Sequence, residues 1–119
     1  MIRRLDHIAI AVPDLQAAIR RFSEVIGLPL AGTEDVPDQQ TTTAFLPAGE
    51  TRIELIVPMD GAGPVQAYLD KRGPGLHHLC FETDDIDADA QARRRAHHGA
   101  GVTGDVGLIQ RHAHFFRPF

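Results

Sequence analysis

Three polar residues stand inside segments that otherwise read as half-buried strands: His7 in LDHIAIAV, Glu54 in RIELIVP and His78 in LHHLCFET. Side chains alternate across a strand, so His7 shares a face with Leu5, Ala9 and Ala11, while Ile8, Ile10 and Val12 take the other. The two alanines beyond His7 predict an open, concave surface there. His78 shares its face with Cys80, and Glu54 falls between Arg52 and Ile56. An ionised carboxylate in such a place is costly unless it is paired or holds a cation. Two imidazoles and a carboxylate converging on one cavity suit a divalent transition metal such as Zn, Co, Ni, Mn or Fe. Plainer readings exist for each residue. A strand histidine is often a hydrogen-bonded core residue, and Glu54 can simply pair with Arg52. His77 points to the face opposite His78, Cys80 reads as a small buried hydrophobe, and His97 and His98 read as a solvated helix end.

An internal repeat joins the two histidines. Shifted by 71 residues, LDHIAIAVPDLQAA (Leu5–Ala18) lies over LHHLCFETDDIDAD (Leu76–Asp89), with His7 on His78, Ile10 on Phe81, Asp14 on Asp85 and Leu15 on Ile86. Both copies read as a strand, an acidic turn and a helix. Asp14 predicts an N-cap, after which Leu15, Ala18, Ile19, Phe22 and Ile26 recur at helical spacing until Gly27 closes the helix. The helix after Asp85 carries Ile86, Ala90 and Arg93 on the equivalent face. Two further strands are predicted at Thr41–Leu46 and Arg52–Val57, joined by a hairpin turn at Pro47-Ala48-Gly49-Glu50. A short helix from about Pro64 carries Val65, Tyr68 and Leu69 inward, and Arg72-Gly73-Pro74-Gly75 ends it as a linker. The predicted order is β-α-β-β, linker, β-α-β.

The 119 residues suffice for one core without disulfides or structural metals. Sixteen acidic residues against twelve basic ones give a net charge of −4, which is no footprint for nucleic acid. One cysteine excludes an intramolecular disulfide framework and a paired-cysteine zinc site. No apolar run approaches the ~20 residues that span a bilayer. Asp6 and His7 interrupt the N-terminal apolar stretch, which therefore reads as a strand and not as a secretion signal. The expectation is a cytoplasmic protein with neither nucleic-acid nor membrane partners.

LDHIAIAVPDL, TRIELIVP and KRGPGLHHLCFETDDID together closely resemble the methylmalonyl-CoA epimerases of the vicinal oxygen chelate (glyoxalase-like) superfamily. The resemblance covers roughly residues 5–90, and the last motif is the most specific. It implies an α+β fold of two βαβββ modules whose strands curve around a metal, usually in a homodimer. Module one would span about residues 1–58, a linker with a short helix about 59–75, and module two about 76–119. Motif for motif, His7 and His78 match the family's two metal histidines, and Glu54 falls where the family has a Gln or Glu ligand. The implied activity is metal-dependent interconversion of the 2R and 2S forms of methylmalonyl-CoA, by proton abstraction at C2 through a metal-stabilised enediolate. The implied partners are an acyl-CoA substrate and a divalent ion (Co, Mn, Ni or Zn).

The family's fourth ligand is a glutamate in a final strand after an FxHP-like motif. Phe115-Phe116-Arg117-Pro118 is similar to that motif, and the sequence stops at Phe119. The second module is therefore expected to lack its last strand, with activity impaired. Some members carry a glutamate base in the second strand, where this chain has Thr43, so the acid–base residues stay unassigned. His112 and His114 are a candidate substitute ligand pair. Alternatives on the same scaffold are a glyoxalase-type lyase, an extradiol dioxygenase, and a non-catalytic small-molecule binding module of the bleomycin-resistance type.

Overall fold

Strand β1 (Ile2–Ala11) runs into Asp14, which caps helix α1 (Leu15–Arg20) by accepting from the Ala17 amide at 3.1 Å. A π-helical turn continues α1 through Arg21–Ile26, and Gly27, at φ +93°, ends it. Strands β2 (Gly32–Val36), β3 (Thr41–Ala48) and β4 (Thr51–Pro58) follow, then α2 (Pro64–Arg72), β5 (Gly75–Thr83), α3 (Ile86–His97), β6 (Asp105–Gln110) and β7 (Phe115–Pro118). The computed structural model describes residues 1–97, 105–110 and 115–118. His98, His112 and His114 lie outside the described residues. The order is β-α-β-β-β, then α2, then β-α-β-β: the mixed α+β arrangement that the resemblance implies, with one strand more in each half than the predicted order.

The chain divides into two compact units, one of Ile8–His77 and one of Met1–His7 with His78–Phe119. In the first, β2, β3, β4 and the end of β1 lie side by side in that order, β2–β3 and β3–β4 antiparallel. The hairpin pairs Ala48 with Thr51 and turns at Gly49-Glu50. One face carries Val12, Ala44, Leu46 and Leu55, covered by Ile19, Leu15 and Phe22 from α1 and its extension. The opposite face carries Ala9, Ala11 and Ile56, covered by Val65, Tyr68 and Leu69 of α2. The surface expected to be open beside Ala9 and Ala11 is thus closed: both alanines are fully buried. Small side chains there admit a helix, not solvent.

Two other expectations change. Ile26 does not face the core and is 59% exposed, because the wider π turn breaks the 3.6-residue spacing on which the inward stripe depended. Strand β2 has no apolar alternation to announce it. GTEDV is held by backbone pairing to β3, opposite Thr41 to Phe45.

In the other unit, the strand order is β1, β5, β6, β7, with β5–β6 parallel and β6–β7 antiparallel. Asp85 caps α3 by accepting from the Ala88 amide at 3.1 Å, the same bond as at Asp14. Ile86 and Leu108 form a small core with Phe81 and Ile2. At its edge, Asp84 holds the Met1 ammonium at 2.6 Å and Arg3 at 2.9 Å.

Candidate metal centre

His7 sits on β1 and His78 on β5, neighbouring strands of one unit. Their Nε2 atoms are 3.2 Å apart, and the rings meet edge-on at 82° with centroids 5.3 Å apart. Imidazole nitrogens bind a first-row ion at about 2.0–2.1 Å, so two neighbouring ones on one octahedral or tetrahedral ion lie roughly 2.8–3.4 Å apart. The observed separation fits that span. It equally fits a hydrogen bond when one Nε2 carries the proton.

The other nitrogen of His7 decides which atom is available. Nδ1 lies 2.8 Å from Asp6 Oδ2, with both side chains buried. A carboxylate only accepts, so Nδ1 carries the proton and the Nε2 lone pair is left toward His78. Metal-binding histidines commonly use this carboxylate contact to fix ring and tautomer. Asp6 in turn lies 3.4 Å from Arg4 Nη2, and Arg4 Nε donates to Glu82 Oε2 at 3.0 Å. Asp6 was not a sequence candidate, because parity puts it on the packing face with Ile8 and Ile10. Instead the burial alternation breaks there, and Asp6 and His7 are both buried. The legible signal was an acidic residue adjoining the strand histidine.

Cys80 is fully buried, as expected of a small core residue, yet it also approaches the histidine. One potential ligand atom from each of Asp6, His7 and Cys80 lies within 4.8 Å of the others. His77 is turned away from this chemistry and stacks edge-on against Tyr68, whose hydroxyl donates to the Leu76 carbonyl.

Glu54 belongs to the other unit, on β4. It is 9% exposed and accepts from Arg52 Nε at 2.7 Å, so the pairing foreseen as its plainer reading is present. The Arg52 guanidinium also lies 5.7 Å from the centre of the Phe45 ring. Arg52 and Phe45 line a cavity of about 480 Å³ with Gly32 and Glu34 of β2. Thr43 is buried in β3, opposite Glu34 on β2 and Ile56 on β4. It provides a hydroxyl where the resemblance implies a glutamate base in some members.

Residues 6–113 match the sequence pattern of the Glyoxalase/Bleomycin resistance protein/Dioxygenase superfamily. The chain is similar to the ethylmalonyl-CoA/methylmalonyl-CoA epimerase of Cereibacter sphaeroides, 39% identical over 105 residues that cover 87% of this chain and 77% of that protein. Among solved structures it is similar to methylmalonyl-CoA epimerase from Mycobacterium tuberculosis, with a TM-score of 0.71 and 35% identity over 80% of this chain and 65% of that one. A variant of the Streptomyces coelicolor methylmalonyl-CoA epimerase in complex with 2-nitronate-propionyl-CoA gives a TM-score of 0.73 at 32% identity, over 81% of this chain and 73% of that one.

Proposed function

Because the chain belongs to the Glyoxalase/Bleomycin resistance protein/Dioxygenase superfamily, and within it to the methylmalonyl-CoA epimerase family, we propose that it epimerises methylmalonyl-CoA at C2 with the help of a divalent ion. The observation that carries the reading is the His7–His78 pair, whose 3.2 Å separation and Asp6-fixed tautomer suit an ion. Glu54 is the third ligand in this reading, on the strength of its position in TRIELIVP.

A divalent ion held by these residues would supply Lewis acidity, which would make the C2 proton of the substrate easier to remove. In this reading His7 and His78 would contribute neutral donors and Glu54 one negative charge, a set that would leave a dication net positive and receptive to the substrate carboxylate. Asp6 holds the His7 ring in place. The same reading has a homodimer working in the cytoplasm on an acyl-CoA, with Co, Mn, Ni or Zn as the ion.

Deuterium incorporation at C2 of methylmalonyl-CoA in heavy water, with cobalt-loaded protein, tests the proposal. Exchange that disappears in His7→Ala supports it, and no exchange by a folded, cobalt-loaded protein overturns it. Thr43 favours a second reading, a binding module of the same family that holds an acyl-CoA without turning it over. Saturable binding of methylmalonyl-CoA without exchange would select that one.

A further inference from the structure

His7 has two ring nitrogens in two different settings. Nε2 meets His78 at 3.2 Å, and Nδ1 meets Asp6 at 2.8 Å. Asp6 and Cys80 are themselves potential ligands within 4.8 Å of a His7 donor atom and of each other. The same histidine therefore belongs to two possible ligand sets, one of two imidazoles and one of imidazole, carboxylate and thiolate. The second is softer in its sulfur and would change both the affinity and the preferred ion.

Arg4 separates the two. Its side chain is 19% exposed and reaches both Asp6 Oδ1, at 3.4 Å, and Glu82 Oε2, at 3.0 Å. Arg4 engages one oxygen of Asp6 and His7 Nδ1–H the other, so both oxygens of that carboxylate already meet a donor. A dication taken up by Asp6 and Cys80 would also lie close to the guanidinium, a like-charge contact.

We propose that Arg4 is a specificity-determining positioning residue: by holding Asp6 as the acceptor of His7 Nδ1–H, it presents Nε2 to the ion and keeps Asp6, His7 and Cys80 from acting as a ligand set. The inference rests on the reading that His7 and His78 hold a divalent ion. It assigns Arg4 no contact with substrate.

Two measurements on the full chain test it: nitrogen-15 spectroscopy of the His7 tautomer in metal-free protein, and cobalt(II) titration followed by absorbance. Wild type should show His7 protonated at Nδ1 and a cobalt spectrum without thiolate-to-cobalt charge transfer. Arg4→Met should loosen the tautomer and weaken cobalt binding 10- to 100-fold, the usual cost of losing an outer contact to a metal ligand. It should also bring in thiolate-to-cobalt absorption that vanishes in the double variant Arg4→Met/Cys80→Ser. Arg4→Lys should restore part of the wild-type affinity. If Arg4→Met does not fold, Asp6→Ala, which leaves Nδ1–H no side-chain acceptor at position 6, should shift the His7 tautomer instead, and an unchanged tautomer there overturns the proposal. Thiolate absorption already present in wild type overturns it too. Cobalt binding that needs both histidines but is unaltered by Arg4→Met overturns the role of Arg4 alone. An Nδ1–H tautomer in a wild type that takes no cobalt overturns the ion-binding reading beneath it.

Discussion

The Nε2 atoms of His7 and His78 lie 3.2 Å apart although 71 residues separate them in the chain. Neither nitrogen is placed by a loop. Each histidine stands on a strand, β1 or β5, and each strand leads into an Asp-capped helix, so two equivalent elements set the spacing of the two nitrogens. Rigid elements are what a metal site needs to keep its geometry.

His7→Ala and His78→Ala should each abolish tight cobalt binding, since a single imidazole of the pair holds a first-row ion poorly. His77→Ala, whose ring packs on Tyr68, should leave it nearly unchanged. Cobalt titration decides, and equal affinity in all three variants with wild type would make the histidines ordinary core residues.

Glu54→Gln should keep the Arg52 contact through the amide oxygen and lose less than tenfold in cobalt affinity. Glu54→Ala should lose more than tenfold and lower the melting temperature, because it leaves the half-buried Arg52 without its 2.7 Å partner. Identical cobalt affinities for the alanine variant and wild type would confine Glu54 to its ion pair.

Asp14→Ala and Asp85→Ala should each cost about 1 kcal/mol, the usual worth of an N-cap side chain. The two caps make the same 3.1 Å bond in separate units, so the double variant should lose the sum. Urea unfolding measures this. A loss at one cap only would show that the two helix starts are not equivalent in solution.

Gly63 precedes α2 at φ +93° and ψ −173°, a region essentially restricted to glycine, and an added Cβ would come within 2.7 Å of Gln40 Cβ. Gly63→Ala should therefore destabilise by about 1–3 kcal/mol. Thermal unfolding checks it, and an unchanged melting temperature would mean that the turn before α2 adjusts freely.

The hydrogen bond from the Met1 ammonium is the largest cause holding the Asp84 carboxyl below its ordinary 3.8, and the same bond is the largest cause raising the ammonium above 8.0. The depressed carboxyl contributes stability above 3.8 that is lost as pH falls through its folded value. The raised amine contributes stability below 8.0 that is lost as pH rises through its folded value. Wild type should thus melt above Asp84→Asn between about pH 4 and 8, with the gap closing on either side. Parallel melting curves across that range would refute the coupling.

The residue sequence by itself determined the local elements and their duplication. Alternation, Asp caps and terminal glycines are short-range signals, so β1, β3, β4, β5 and the helix starts at Asp14 and Asp85 were legible, as were His7 and His78 as equivalent positions. What the tertiary structure decided depends on neighbours far along the chain. Strand β2 exists through backbone bonds to β3, which leave no mark on its polar side chains. The Ala9–Ala11 face is closed because α2 packs on it, and side-chain size alone does not say whether helix or solvent fills a shallow surface. Ile26 is exposed because a π turn changes the phase of the helix. Asp6 was hidden by parity, which assigns a face from the backbone and takes no account of a carboxylate turning to meet the neighbouring imidazole. That contact puts the proton on Nδ1 of His7, and Asp6 in turn meets Arg4, which also reaches Glu82 on β5.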